Sequence, residues 1–124
     1  MNITLWIITG LLALAFLAAG AMKITQPKAK LASAGQPWTE DFTAPSVKTI
    51  GVLEVLGALG LILPALLGTA TVLVPVSAAA LAALMLGAAI VHARRGEYRN
   101  ITANVILAAL AITVAILRFG PYAL

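Results

Sequence analysis

The sequence predicts an all-α fold: an integral membrane four-helix bundle whose transmembrane helices run antiparallel, up and down. Three observations predict it. Residues 1–22, 55–93 and 101–117 contain no Asp, Glu, Lys or Arg, and apolar runs of about 18 or more residues read as membrane spans. The middle run is long enough for two spans and is interrupted by Pro64-Ala65-Leu66-Leu67-Gly68. The chain is 62% hydrophobic and only 10% charged, with mean hydropathy +1.07, whereas soluble domains average about 25% charged residues. The 124 residues form one domain, because four spans leave no length for a second.

The first span covers about residues 3–22, with Trp6 as an interfacial anchor near its start. Ala19 and Ala21 resemble a signal-peptidase site. However, no positive charge precedes the apolar run, which also exceeds the usual length of about 7–15 residues, so a retained span is expected. Lys23 closes the span and reads as a snorkelling anchor. A loop follows, punctuated by Pro27, Gly35, Pro37 and Pro45, which exclude one long helix. Within it, residues 28–33 suit a short basic surface helix. Trp38 and Phe42, four apart, share a face on a helical turn. They read as an interfacial loop dipping into the headgroups, or alternatively as a lid over the bundle mouth.

The second span covers 47–63, with Ser46 as its expected N-cap, and the turn 64–68 leads to a third span over 71–92. Pro75 falls near the first turn of that span, where its missing donor costs little. Ala79, Ala83 and Gly87 repeat every four residues, a spacing that lets helices approach closely, so this face is expected to pack on a neighbour. Gly96 is the expected C-cap and Tyr98 an anchor in the loop 93–100. The fourth span covers 101–119, ending before Gly120-Pro121 with Arg118 placed to snorkel. On it, Asn100, Asn104, Ala108, Ala111 and Ala115 form one small, polar stripe, expected to face the bundle interior.

Charge predicts orientation and narrows function. Seven of the eight basic residues flank the loops 24–46 and 93–100, and Arg118 alone lies at the other end. The positive-inside rule then places both loops in the cytoplasm and both termini outside, in a plasma or inner (cell) membrane. Basic residues placed this way face lipid headgroups, so no nucleic-acid partner is expected. There is no cysteine, which excludes disulfides and thiolate chemistry. One His and four acids predict no metal site and no cofactor.

Glu54 is the anomaly. It lies about 10 Å into the second span, where a carboxylate costs about 2.5–3.5 kcal/mol unless paired, protonated or hydrated. Lys23, His92, Asn100 and Asn104 lie at the same end of the other spans. Each has a plainer reading: Lys23 as an anchor, His92 as a solvated interfacial side chain, Asn104 as an interhelical hydrogen bonder. Together they read as a polar cluster that is either a structural clamp, Glu–His or Glu–Lys, or a ligand site. Gly51 and Gly57 flank Glu54 and give neighbouring helices room to approach it.

The segments AGAMKITQP, GVLEVLGALGLILP and GAAIVHARRGE, with Asn104 beyond them, resemble the DoxX-like family of small four-span membrane proteins over almost the whole chain. The resemblance implies a four-helix membrane bundle and an accessory role beside partner membrane proteins, with hints of lipophilic ligands. Lys23, Glu54, His92 and Asn104 match it, and no catalytic role comes with them. Three functional readings follow. The first is a non-catalytic accessory protein, homo-oligomeric or bound to a partner membrane protein. The second is a binder of a small lipophilic ligand, quinone or sterol-like, in a pocket around Glu54. The third is a subunit of a redox or proton-coupled complex. Membrane lipids are partners under all three.

Overall fold

A computed structural model describes residues 2–33 and 36–124. Gly35, expected to help interrupt the long loop, lies outside these residues. The elements are α1 (Asn2–Thr25), α2 (Lys28–Ser33), a 3₁₀ helix (Pro37–Asp41), α3 (Ala44–Leu67), α4 (Leu73–Arg94) and α5 (Tyr98–Phe119). α1, α3, α4 and α5 are each long and apolar enough to cross a membrane. A helix of 24 residues is about 36 Å long, enough for a hydrocarbon core of about 30 Å.

Two helix boundaries differ from expectation. The N-cap of α3 is Thr43, not Ser46: the Thr43 hydroxyl accepts from the Ser46 backbone N–H at 3.2 Å. Pro45 therefore lies inside the first turn, where its missing donor has no helical partner to lose. Pro64 does not start the turn but lies within α3, buried. Its fixed φ suits a helix, only the bond to the carbonyl four residues back is lost, and such a loss is tolerated in membrane helices. The helix ends instead at Gly68, at φ 64°, where the Thr69 N–H bonds Pro64 O at 3.2 Å. α4 ends the same way: Gly96 takes φ 72°, its N–H bonds Ala93 O and the Glu97 N–H bonds His92 O at 2.9 Å. Both are Schellman closures that satisfy carbonyls at helix ends.

The four long helices form a ring. α1 pairs extensively with α3 and α4 with α5, while α3 against α4 and α1 against α5 close it. On α1 the buried stripe is Leu5, Thr9, Leu12, Phe16, Gly20 and Lys23, and on α3 it is Val47, Gly51, Glu54, Ala58, Leu61 and Pro64. Both have helical three-and-four spacing. Ala108, Ala111 and Ala115 of α5 are buried, and their small side chains leave space that Leu81 and Met85 of α4 help fill. Outside the ring, Ile3, Leu11, Leu14, Leu53, Leu56, Ile90, Ile106 and Ile116 are exposed. An apolar outer surface of this extent belongs in lipid, and the chain is an integral membrane protein.

Five residues lie elsewhere than the sequence led one to expect. Ala79, Ala83 and Gly87 are exposed, and a Cβ on Gly87 would meet nothing within 4 Å. α4 packs in the bundle through its opposite face, because the close approach to α5 comes from the alanines of α5. Lys23 is buried rather than snorkelling outward. Arg118 is also buried, at 4% exposure. Its Nη1 donates to Asn2 Oδ1 at 2.7 Å and to Tyr122 O at 2.9 Å, and its guanidinium lies 5.8 Å from the Trp6 ring centroid. These contacts hold the cation at the end of the ring carrying the termini.

Candidate functional site: a polar cavity at the basic end

The site begins with a pair of glycines. A Cβ on Gly20 would lie 2.6 Å from Gly51 O, and one on Gly51 would lie 2.8 Å from both Gly20 O and Lys23 Cβ. Only bare backbones fit here, so α1 and α3 meet closely. Three residues on from each glycine stand Lys23 and Glu54. Side chains lean toward the N-terminus of their own helix, and the two helices are antiparallel, so this pair leans together. Lys23 Nζ donates to Glu54 Oε1 at 2.6 Å, with both side chains almost wholly shielded. The pair neutralises two charges that lipid would not accept singly. Of the two partners weighed for Glu54, the geometry selects Lys23.

His92 is engaged elsewhere. Its Nδ1 lies 2.8 Å from Glu97 Oε1. Arg95 Nε donates to Glu97 Oε2 at 3.2 Å, and Arg95 Nη1 to Asp41 Oδ2 at 2.7 Å. The hydrogen bond from His92, then Arg95, hold the Glu97 carboxyl below its ordinary value of 4.5. Hydrogen bonds to Asp41 and Glu97 push the Arg95 guanidinium further up. An ionised carboxylate only accepts, so Nδ1 of His92 carries the proton, and the Asn100 Nδ2 at 3.5 Å cannot donate to it. Nε2 has no protein partner among the described residues.

Glu97 escaped the sequence reading, although a signal was present. A glycine in the left-handed conformation at the end of α4 folds the next residue back over the last turn. Gly96 therefore returns Glu97 to His92, five positions earlier.

The 3₁₀ helix covers this end. Trp38 meets Phe42 edge to face at 5.5 Å between centroids and His92 at 6.5 Å, and Lys23 Nζ lies 5.7 Å from the Trp38 ring. Lys28 Nζ holds the segment by donating to Phe42 O at 2.8 Å, and Arg95 holds it through Asp41. Trp38 and Phe42 thus lie at the bundle mouth, beside Lys23 and His92.

Beneath them is a cavity of about 400 Å³. Its walls are mostly apolar: Ile50 from α3, and Ala83, Leu84, Met85, Gly87, Ala88 and Val91 from α4. Lys23, Gln36, Glu54, His92 and Asn104 are its polar lining, with Trp38 and Phe42 above. The buried Asn104 Nδ2 has no hydrogen-bond partner among the described residues, a cost of about 1–3 kcal/mol for a donor cut off from water. Lys23, Glu54, His92 and Asn104 therefore share one cavity, while Asn100 stands outside its lining. Ala83 and Gly87 edge it where α4 is bare, so the cavity borders the lipid-facing side between α3 and α4.

No curated protein and no solved structure matches the chain. The DoxX-like family pattern matches residues 7–114, a stretch that includes every residue lining the cavity. By that match the chain belongs to the DoxX-like family.

Proposed function

We propose that this chain is a membrane-embedded binding protein for a small lipophilic molecule with an uncharged, hydrogen-bond-accepting head, and that it serves a membrane system as an accessory. The observation that carries this reading is the cavity: about 400 Å³, mostly apolar, with few polar groups. Ligand sites are typically apolar clefts of about 300–1,000 Å³ with a small number of placed polar groups. The Lys23–Glu54 pair is neutral overall, which disfavours a charged head, and the free Asn104 donor asks for an acceptor. The concentration of basic residues at this end supports a cytoplasmic orientation for the cavity in the cell membrane, with both termini outside.

Trp38 gives a direct test. In a Trp6→Phe background, Trp38 is the sole tryptophan. Decyl-substituted benzoquinone titrated into the protein in nanodiscs should quench it saturably. Ala88→Phe, which fills the cavity, should abolish saturation while leaving the thermal unfolding cooperative. Linear, unsaturable quenching in both proteins would refute the proposal.

A second reading is supported by the exposed Ala79, Ala83 and Gly87 face, which suits close approach of a helix from another copy or a partner protein. Ala79→Cys in this cysteine-free chain should form an oxidised dimer in mild detergent if that face joins copies. A strictly monomeric product would remove self-association through it.

A further inference from the structure

The polar cavity has an apolar neighbour. A second depression, of about 340 Å³, runs along the seam between α3 and α4 and shares Leu84 with the cavity. Its walls include Leu53, Leu56, Gly57, Val76 and Ala80. Leu53, Leu56 and Val76 are exposed to the lipid side. The floor is set by close packing, since a Cβ on Gly57 would lie 2.6 Å from Leu81 Cδ2. From Leu84 to Val76 the groove follows α4 for about 12 Å at 1.5 Å per residue. A comparable groove between α1 and α3, with Gly10, Ala13 and Leu17 among its walls, shares no residue with the polar cavity.

Resting on the binding function proposed above, we infer that the ligand is a single-chain amphiphile. Its uncharged head lies in the Asn104 cavity and its hydrocarbon tail lies in the α3–α4 groove, toward the middle of the bilayer. The two spaces adjoin at Leu84, which lines both. From a head held at Asn104, a tail passing Leu84 reaches the groove, which is walled by side chains already facing lipid. Such a ligand would enter sideways from the bilayer, with its tail never crossing water. Because lipid is as apolar as the groove, the tail gains packing rather than hydrophobic transfer. The groove therefore selects shape more than it adds affinity.

The test separates head from tail. A decyl benzoquinone carrying a photoactivatable diazirine at the tail end is bound to the intact protein in nanodiscs and irradiated. Crosslinks should concentrate on Leu53, Leu56, Val76 and Ala80, and an excess of unlabelled decyl benzoquinone should suppress them. Ala80→Phe should remove these crosslinks while saturable quenching of Trp38 by the tail-less benzoquinone is retained. Crosslinks scattered over the lipid faces of α1 and α5, with Trp38 quenching still saturable, would overturn the groove but keep the cavity. Loss of saturable quenching altogether would overturn both. Suppression of the crosslinks by cholesterol but not by decyl benzoquinone would replace the single-chain ligand with a rigid one.

Discussion

Lys23 and Glu54 meet at 2.6 Å because Gly20 and Gly51, each three residues earlier, bring α1 and α3 into backbone contact. The pair is buried, so its members are strongly interdependent. Breaking a buried ion pair by removing one partner costs about 3–5 kcal/mol, whereas replacing both with apolar residues is often nearly neutral. Lys23→Met and Glu54→Leu should each lower the unfolding midpoint substantially in detergent. The double variant should be more stable than either single one. If the double variant loses the sum of the two single losses, the pair has no coupling and the charges act separately. The double variant also separates two roles: a folded bundle that no longer quenches Trp38 saturably assigns the pair to the ligand as well as to the fold.

The glycines can be tested without touching a charge. Gly51→Ala places a methyl 2.8 Å from Gly20 O and Lys23 Cβ, so backbone must move. Overpacking of this kind costs about 1–3 kcal/mol. Gly87→Ala is the control, since its Cβ meets nothing within 4 Å. Alanine in a helix interior should then gain about 0.5–1 kcal/mol. Thermal unfolding of both in one detergent decides it. Equal effects at the two positions would mean that the α1–α3 contact does not limit stability.

The fold was largely legible because bilayer thickness acts directly on sequence: apolar runs must be about 20 residues long, and α1, α3, α4 and α5 follow from that. Glu54 stood out for the same reason. Its partner did not, because choosing between Lys23 and His92 requires knowing which helices adjoin. That depends on Gly20 facing Gly51, a tertiary relation that neither glycine announces alone. Arg118 read as a snorkelling cation because its partners, Asn2 and Tyr122, lie at opposite ends of the chain. Ala79, Ala83 and Gly87 have the spacing of a packing face, but spacing does not say whether the neighbour belongs to the same chain. Thr43 outranked Ser46 as the cap because Pro45 is compatible with the first turn, which let the helix start earlier.

The Glu97 contacts predict a pH dependence with a definite sign. His92 and Arg95 favour the carboxylate, so the folded-state value lies below the ordinary 4.5. Such a group binds more protons in the unfolded chain over that interval. Its stabilisation is complete above the ordinary value and is lost as pH falls through the lower folded-state value. Acid titration of the unfolding temperature should therefore show a fall below about pH 4.5, and Glu97→Gln should flatten that part of the curve. A Glu97→Gln profile parallel to that of the parent would show that the loop contacts do not contribute.

Asp41 and Arg95 join the segment bearing Trp38 and Phe42 to the turn between α4 and α5, at 2.7 Å. Asp41 is well exposed, so the bond contributes little to stability: exposed pairs give about 0–1 kcal/mol. Its effect should appear in rates. The head of the proposed ligand lies beneath the two aromatics, so it moves past them as it enters or leaves sideways, and Arg95 restrains the segment that carries them. Asp41→Asn keeps the side-chain shape but removes the charge on one side of this latch. In the Trp6→Phe background, stopped-flow quenching of Trp38 should show faster association and faster release of decyl benzoquinone, with the equilibrium affinity changed less than either rate. The unfolding temperature should barely move. Unchanged rates would show that the head exchanges along the seam between α3 and α4 without moving the aromatics, whereas a drop in stability matching that of Lys23→Met would make the contact part of the bundle's framework instead of a latch.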